Sequence, residues 1–278
     1  MVETLWERER GRSLMPGIDI TDDAVTFSQS WINTFLLCPE QARLEMMGLL
    51  PRKESDATAI GSAMHAGIEA VLGGASITDG EAAAIDTLEE LIALPTFEWV
   101  QIKTRDTAAK TLQRVYYTWA NEVYPQLPGP RAIEHKFDIE IGIVNGRLLR
   151  IKGAIDYIDE LGDVWDWKTA ASDRMWEQWS VDRYKIQPTV YTLALAHEEN
   201  DFETPRDFHY CVMFKPSQAH SIYSTTRTQA HWDWLTRQCK SIAYMLDADL
   251  PVWPMNDQHA LCSQKWCTAW SSCKGAHL

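Results

Sequence analysis

No run of 18 apolar residues occurs in this chain, so the sequence offers no helix of the kind that crosses a bilayer, and no membrane partner is expected. The N-terminal segment, Met-Val-Glu-Thr-Leu-Trp-Glu-Arg-Glu-Arg, is charged and lacks the apolar centre of a secretory signal, which points to the cytoplasm. Positive charge is also scarce. Against 39 Asp and Glu there are 26 Lys and Arg, a net charge of −13, which excludes a general charge-driven coat on nucleic acid. It does not exclude a site where bound metal ions supply the positive charge. No Walker A motif is present, so no nucleotide-driven motor is built in. No internal repeat or low-complexity linker divides the chain.

What is present is 278 residues, 45% of them hydrophobic, enough for a substantial core. The reading is one α/β domain over 1–278. It has an N-terminal arm (1–25), a helical region (26–125), a sheet-bearing core (130–247) and a cysteine-rich tail (250–278). Residues 205–278 carry +2 and the remainder −15, so the last quarter is the more permissive surface for a polyanion. Most of the thirteen tryptophans belong in a core, with some free to stack on unpaired bases.

Ser28 or Ser30 caps an apolar-periodic helix expected to reach about Met47. Further helices are expected over 57–72, 79–93 and 98–123, with Pro95 and Pro125 as breakers. From residue 131 the period changes: Ile133, His135, Phe137, Ile139, Ile141 and Ile143 alternate as in a strand. Asn145-Gly146 signals a hairpin into a second strand, 148–158, and 164–169 forms a third. A long helix over 174–198, strands over 207–214 and 219–225, and a helix over 228–246 complete an antiparallel run of strands inside a helical frame.

The chemistry concentrates on the strands. Asp166 and Lys168 flank Trp167 and, two residues apart, share one face. A carboxylate there, between Trp165 and Trp167, is costly unless paired or metal-bound. An Asp166–Lys168 ion pair is the alternative. Asp156 and Glu134 lie on neighbouring strands, and oxygen ligands of this kind suit Mg²⁺ or Mn²⁺. Such an ion acidifies a bound water, and Lys168 is placed to orient that water or offset transition-state charge. Asp159, Glu160 and Asp163 read as solvated turn acids.

Together, Glu134, Gly153-Ala154-Ile155-Asp156, Asp166-Trp167-Lys168 and Gln187…Tyr191 resemble, in order and spacing, the motifs of the PD-(D/E)XK nuclease superfamily. Gly61-Ser62-Ala63-Met64-His65 adds the Gly-x-x-x-His of its RecB-like branch. The resemblance implies a restriction-endonuclease-like mixed sheet flanked by helices. It implies His65, Asp156, Asp166 and the Trp167 carbonyl as metal ligands, Lys168 as catalytic lysine, and Glu134 at the site through a water or a second metal. Gln187 and Tyr191, one helical turn apart, would contact the nucleic-acid strand and brace the site.

Six cysteines remain to be placed. Cys211 and Cys239 read as apolar filler. Cys262, Cys267 and Cys273 lie in the tail, and Cys38 precedes Pro39 far upstream. Four thiolates suit a 4Fe–4S cluster or tetrahedral Zn²⁺, with His259 and His277 as substitute ligands for zinc. One cysteine before the core and three after it resembles the iron–sulfur RecB-like nucleases, CRISPR-associated and AddB-type, although the four-residue gap from Cys262 to Cys267 is longer than the two usual there. The resemblance implies a 4Fe–4S clasp and a metal-dependent exonuclease acting on single-stranded DNA or DNA ends. It also implies recombination or CRISPR-adaptation proteins as partners, and a host cytoplasm if the protein is phage-encoded. A non-catalytic DNA-end-binding subunit, or a zinc-stabilised endonuclease, is the alternative.

Overall fold

A computed structural model describes residues 17–50, 54–257 and 261–273. Apolar side chains at period two build a seven-stranded sheet from β1 (Ile18–Ile20), β2 (Ala24–Ser28), β5 (Pro130–Val144), β6 (Arg147–Asp159), β7 (Val164–Ala170), β8 (Arg206–Phe214) and β9 (Ala219–Arg227). A separate pair, β3 (Glu54–Ser55) and β4 (Phe97–Glu98), is parallel. Asn145 and Gly146, with φ of 50° and 81°, turn β5 into β6 as expected of that dipeptide.

The sheet forks at β6. Along one edge β5 pairs with it from end to end. Along the other, β2 runs parallel to it as far as Lys152, and β7 takes over antiparallel at Tyr157 and Ile158. Gly153 to Asp156 therefore lie where two strands part, and a sheet that parts leaves a crevice with exposed main-chain groups. From β7 the order continues through β8, parallel, to β9, antiparallel.

Helices cover both faces. On one, α3 (Asp56–Leu72), α4 (Ile77–Ile92) and α5 (Arg105–Thr118) bury Ile60, Met64, Leu88, Leu112 and Val115 against Tyr157, Trp167, Cys211 and Met213. On the other, α1 (Gln29–Leu37), α7 (Gln187–Glu199) and α8 (Gln229–Asp247) bury Trp31, Val190, Leu193, Trp232 and Cys239 against Ile151, Ile155, Phe208 and Val212. Ser55 and Thr58 form a reciprocal cap that starts α3. Gly67 lets α3 approach α4 closely: a Cβ there would stand 2.7 Å from the Gly80 carbonyl oxygen. This is the expected mixed α/β architecture of helices about a central sheet.

Several expectations are corrected. The arm expected over 1–25 ends in two sheet strands, β1 and β2, because Val25 and Phe27 are fully buried and Ile18 nearly so; residues 1–16 lie outside the described residues. The helix expected to reach Met47 breaks at Cys38 (φ −155°), since Pro39 disfavours helical backbone before it, and α2 (Pro39–Met46) starts afresh. The helix expected from 98 begins at Arg105, capped by Thr104, because the preceding backbone amides of Val100 and Ile102 are held by the Asp56 carboxylate at 2.6 and 2.9 Å. The long helix over 174–198 is two helices, α6 (Gln178–Tyr184) and α7, with Pro188 at the first turn of the second. The strands are mixed rather than antiparallel. Ile143 is 66% exposed, since the register shift between Glu140 and Gly142 reverses the alternation. Asp159 is 1% exposed and accepts from the Leu161 and Asp163 amides and the Trp165 indole, so it ties the turn from within.

Among the described residues the tail has one short 3₁₀ turn, Trp270–Ser272, and is held by anchors. Trp253 is 3% exposed and packs edge-on to Trp31 and Phe35. Its amide donates to Glu40 Oε2 at 2.8 Å, and Glu40 is itself clamped by two bonds from Arg43. Among the described residues no helix is long and apolar enough to cross a membrane.

Candidate active site

Strand alternation puts Asp166 and Lys168 on the face covered by α7 and sends Trp167 into the opposite core. Asp166 is 1% exposed. Its Oδ1 accepts from Gln187 Nε2 at 2.6 Å, while the Lys168 ammonium pairs with Oδ2. No hydrogen-bond donor among the described residues is aligned on Oδ2. Burial raises the Asp166 pKa and Lys168 opposes the rise, with Asp156 adding to it.

Asp156 sits at the fork. Its Oδ2 accepts from the Trp167 amide at 3.2 Å and lies 3.3 Å from His65 Nδ1. On the other side of the ring, His65 Nε2 donates to the Trp167 carbonyl at 2.6 Å. Three of the four expected ligands thus touch one another, joined to the fourth, Asp166, through one residue of β7.

Glu134 is held where β5 passes Asp156. It falls between the pairs Ile133–Tyr157 and His135–Ile155, and its φ of 47° is strained for a non-glycine residue. That kink also turns Ile133 towards the α3-side core, whereas Phe137 and Ile139 belong to the other. Burial pushes the Glu134 carboxyl up to about 7, reinforced by Asp156 and Glu69 and eased by His65. Glu69, absent from the expected set, follows His65 by one turn of α3, and the His-x-x-x-Glu spacing is its signal in the sequence.

Gln187 and Tyr191 stand on the α7 face turned to Asp166, both buried rather than on the helix surface. Gln187 Nε2 also donates to the Tyr191 hydroxyl at 3.0 Å, and Gln187 Oε1 accepts from Tyr210 at 3.3 Å. Tyr210, opposite Asp166 in the β7–β8 register, completes the brace; nothing local in the sequence marks it. Burial raises the Tyr191 pKa, so its hydroxyl stays protonated.

The four cysteines singled out in the sequence come together. Cys38, from the α1–α2 corner, lines one small cavity with Cys262, Cys267 and Cys273, beside Met255 and Trp270. No disulfide ties up Cys38, Cys262 or Cys267. Cys267 is pushed up by burial and also by Cys262 and Cys38. Cys211 and Cys239 are buried elsewhere, in β8 and α8. His259 and His277 lie outside the described residues. As the side chains stand, no group of three or more His, Cys, Asp or Glu among the described residues is arranged to hold a metal ion.

The profile of the PD-(D/E)XK nuclease superfamily matches residues 26–274. A presumed exonuclease from Eubacterium rectale has a similar structure, with a TM-score of 0.53 at 15% identity, over 84% of this chain and 86% of that one. The structure of SSO0001 aligns with a TM-score of 0.44 at 13% identity, over 98% of this chain and 92% of that one, a likeness too low to carry weight. The sequence matches none of the curated proteins.

Proposed function

The chain belongs to the PD-(D/E)XK nuclease superfamily, and on that premise we propose that it is a Mg²⁺- or Mn²⁺-dependent exonuclease that hydrolyses single-stranded DNA or DNA ends. The observation that carries the reading is Asp166: a carboxylate 1% exposed, with a buried oxygen that meets only an ammonium. Burying such a group is costly, and a divalent cation between Asp166 and Asp156 would offset the cost. The donors fit a hard cation, since Asp156, Asp166 and the Trp167 carbonyl offer oxygen and His65 adds one nitrogen. When bound, the cation supplies charge against the phosphate and acidifies a water.

The protein's own groups do the rest. Gln187, Tyr191 and Tyr210 fix Asp166, so the site is organised before substrate arrives. The Lys168 side chain, 32% exposed, holds its ammonium beside the acid and can turn it to the phosphate as charge builds in the in-line transition state. Glu134, titrating near neutrality, can take up a proton at its carboxylate. Water oxygen bonds to phosphorus, and the bond to the 3′-oxygen breaks, leaving a 5′-phosphate and a 3′-hydroxyl. The preference for ends and single strands rests on the family resemblance, together with the activity ascribed to the Eubacterium rectale protein.

The four-cysteine cavity supports a structural metal centre, which we read as a 4Fe–4S cluster, with zinc as the alternative. Four thiols lining one apolar cavity fit either. It would lock the tail onto Cys38.

The test is cleavage of labelled single-stranded DNA with Mg²⁺ or Mn²⁺. Wild type should cut, and Asp166→Ala and Lys168→Ala should not, while both variants melt as folded proteins. Undiminished cutting by both defeats the site. Purified protein should absorb near 400 nm and contain iron; stoichiometric zinc without colour overturns the cluster.

A further inference from the structure

A second cationic feature begins beside Lys168 and leads away from the acids. The Lys168 ammonium lies 5.9 Å from the centre of the Tyr210 ring. Trp176 meets that ring edge-on at 5.2 Å, and Lys185 sits over Trp176 with its ammonium 4.5 Å from the ring centre. Lys185 then lines a cavity of about 230 Å³ between α6, α7 and α8, with Arg183, Thr189, His231 and Trp234. Trp234 is 40% exposed.

Lys185 is held there on purpose-built backbone. Arg227, 2% exposed, donates from Nη2 to the carbonyls of Val181 and Lys185 at 3.1 and 3.4 Å, and from Nε to Thr189 at 3.0 Å. Its guanidinium is thereby occupied, and the segment between α6 and α7 is fixed. Among the described residues no carboxylate forms an ion pair with Lys185. Burial, then the nearby Lys168 charge, lowers its pKa. Asp182 also lines the cavity, but its Oδ1 accepts from Gln178 at 2.9 Å. A partly buried lysine on an aromatic platform, with a second ammonium nearby and no carboxylate paired to it among the described residues, is costly to keep charged.

We infer that this cavity is the subsite for the nucleotide next to the scissile one, with Lys185 on its phosphate and Trp234 stacked on its base. This rests on the nuclease reading and deepens it. Cation and aromatic face together are the combination that holds single strands without reading sequence, and the cavity admits one base with its phosphate. The contacts from Lys168 through the buried Tyr210 ring and Trp176 to Lys185 place the cavity next to the acids and set the direction that leads away from them.

The test is fluorescence anisotropy of a labelled oligo(dT) in EDTA, with cleavage kinetics in Mg²⁺ alongside. Lys185→Ala and Trp234→Ala should each weaken binding about tenfold and raise KM by a similar factor, with kcat within about twofold. Lys185→Ala should also lower the salt dependence of binding by about one phosphate contact, and Lys185→Arg should restore both. Binding and salt slope unchanged in both alanine variants of a protein that cuts single strands overturns the inference alone. So does a loss confined to kcat, or tighter binding of duplex than of single strand. A wild-type protein that cuts no nucleic acid removes the nuclease reading and this inference with it.

Discussion

Glu134→Gln isolates the cost of ionising a carboxyl that is half-buried and set among other acids. The unfolded chain ionises this carboxyl near its ordinary 4.5, whereas the folded site holds its proton up to about 7. Stability contributed by the protonated group is therefore whole below pH 4.5 and is lost as pH rises to 7, beyond which nothing further changes. A displacement of that size corresponds to about 3 kcal/mol for a fully buried group, at roughly 1.4 kcal/mol per tenfold change in acidity. Glu134 is half-buried, and solvent screening reduces the figure to about 1–2 kcal/mol. Glutamine keeps the side-chain shape and the strained φ while removing the charge, so backbone strain cancels between the two proteins. Asp166, also shifted upward, is common to both. Urea unfolding in EDTA from pH 4 to 8 should find the two equal at pH 4.5. The variant should be more stable by about 1–2 kcal/mol above pH 7. Added Mg²⁺ should shrink that gap, since a cation at the acids relieves the same repulsion. A difference that stays flat across the range would refute the idea that Glu134 belongs to the acid cluster.

Two further substitutions probe the frame. Trp253→Ala should cost about 3–5 kcal/mol and release the tail, read as a lower Tm together with faster thiol-reagent labelling of Cys267; a Tm within a degree of wild type would mean that Trp253 is no anchor. Gly67→Ala drives a methyl against the Gly80 carbonyl and against Ala84 Cβ at 2.9 Å. It should lower stability by about 1–3 kcal/mol in the same urea titration, and an unaltered midpoint would contradict the close α3–α4 contact.

The site was legible wherever its geometry is local. Asp166 and Lys168 share a face because strands alternate, and Gln187 and Tyr191 align because a helix returns every three to four residues. Asn145-Gly146 and the Ser28 cap announce themselves for the same reason. Tyr210 and Lys185 carry no such signal, since each matters only through what lies opposite it. The kink at Glu134 was hidden for another reason. An even run of isoleucines and a phenylalanine predicts a straight strand, and the left-handed φ at one glutamate is dictated by its neighbours across the sheet. The period-two pattern likewise placed Ile143 with the core, when a register shift two residues earlier turned it out.

By itself the sequence determined the identity of the elements, the residue types of the acid–lysine site and its order along the chain, because steric and hydrogen-bonding preferences act within a few residues. The tertiary structure alone decided that β2 and β7 share one edge of β6 and part beside Asp156. It alone brought His65 of α3 onto the Trp167 carbonyl, and Cys38 to a tail more than two hundred residues away. Such meetings depend on which long loops close and which apolar faces are buried together, a global balance that no short stretch of residues contains.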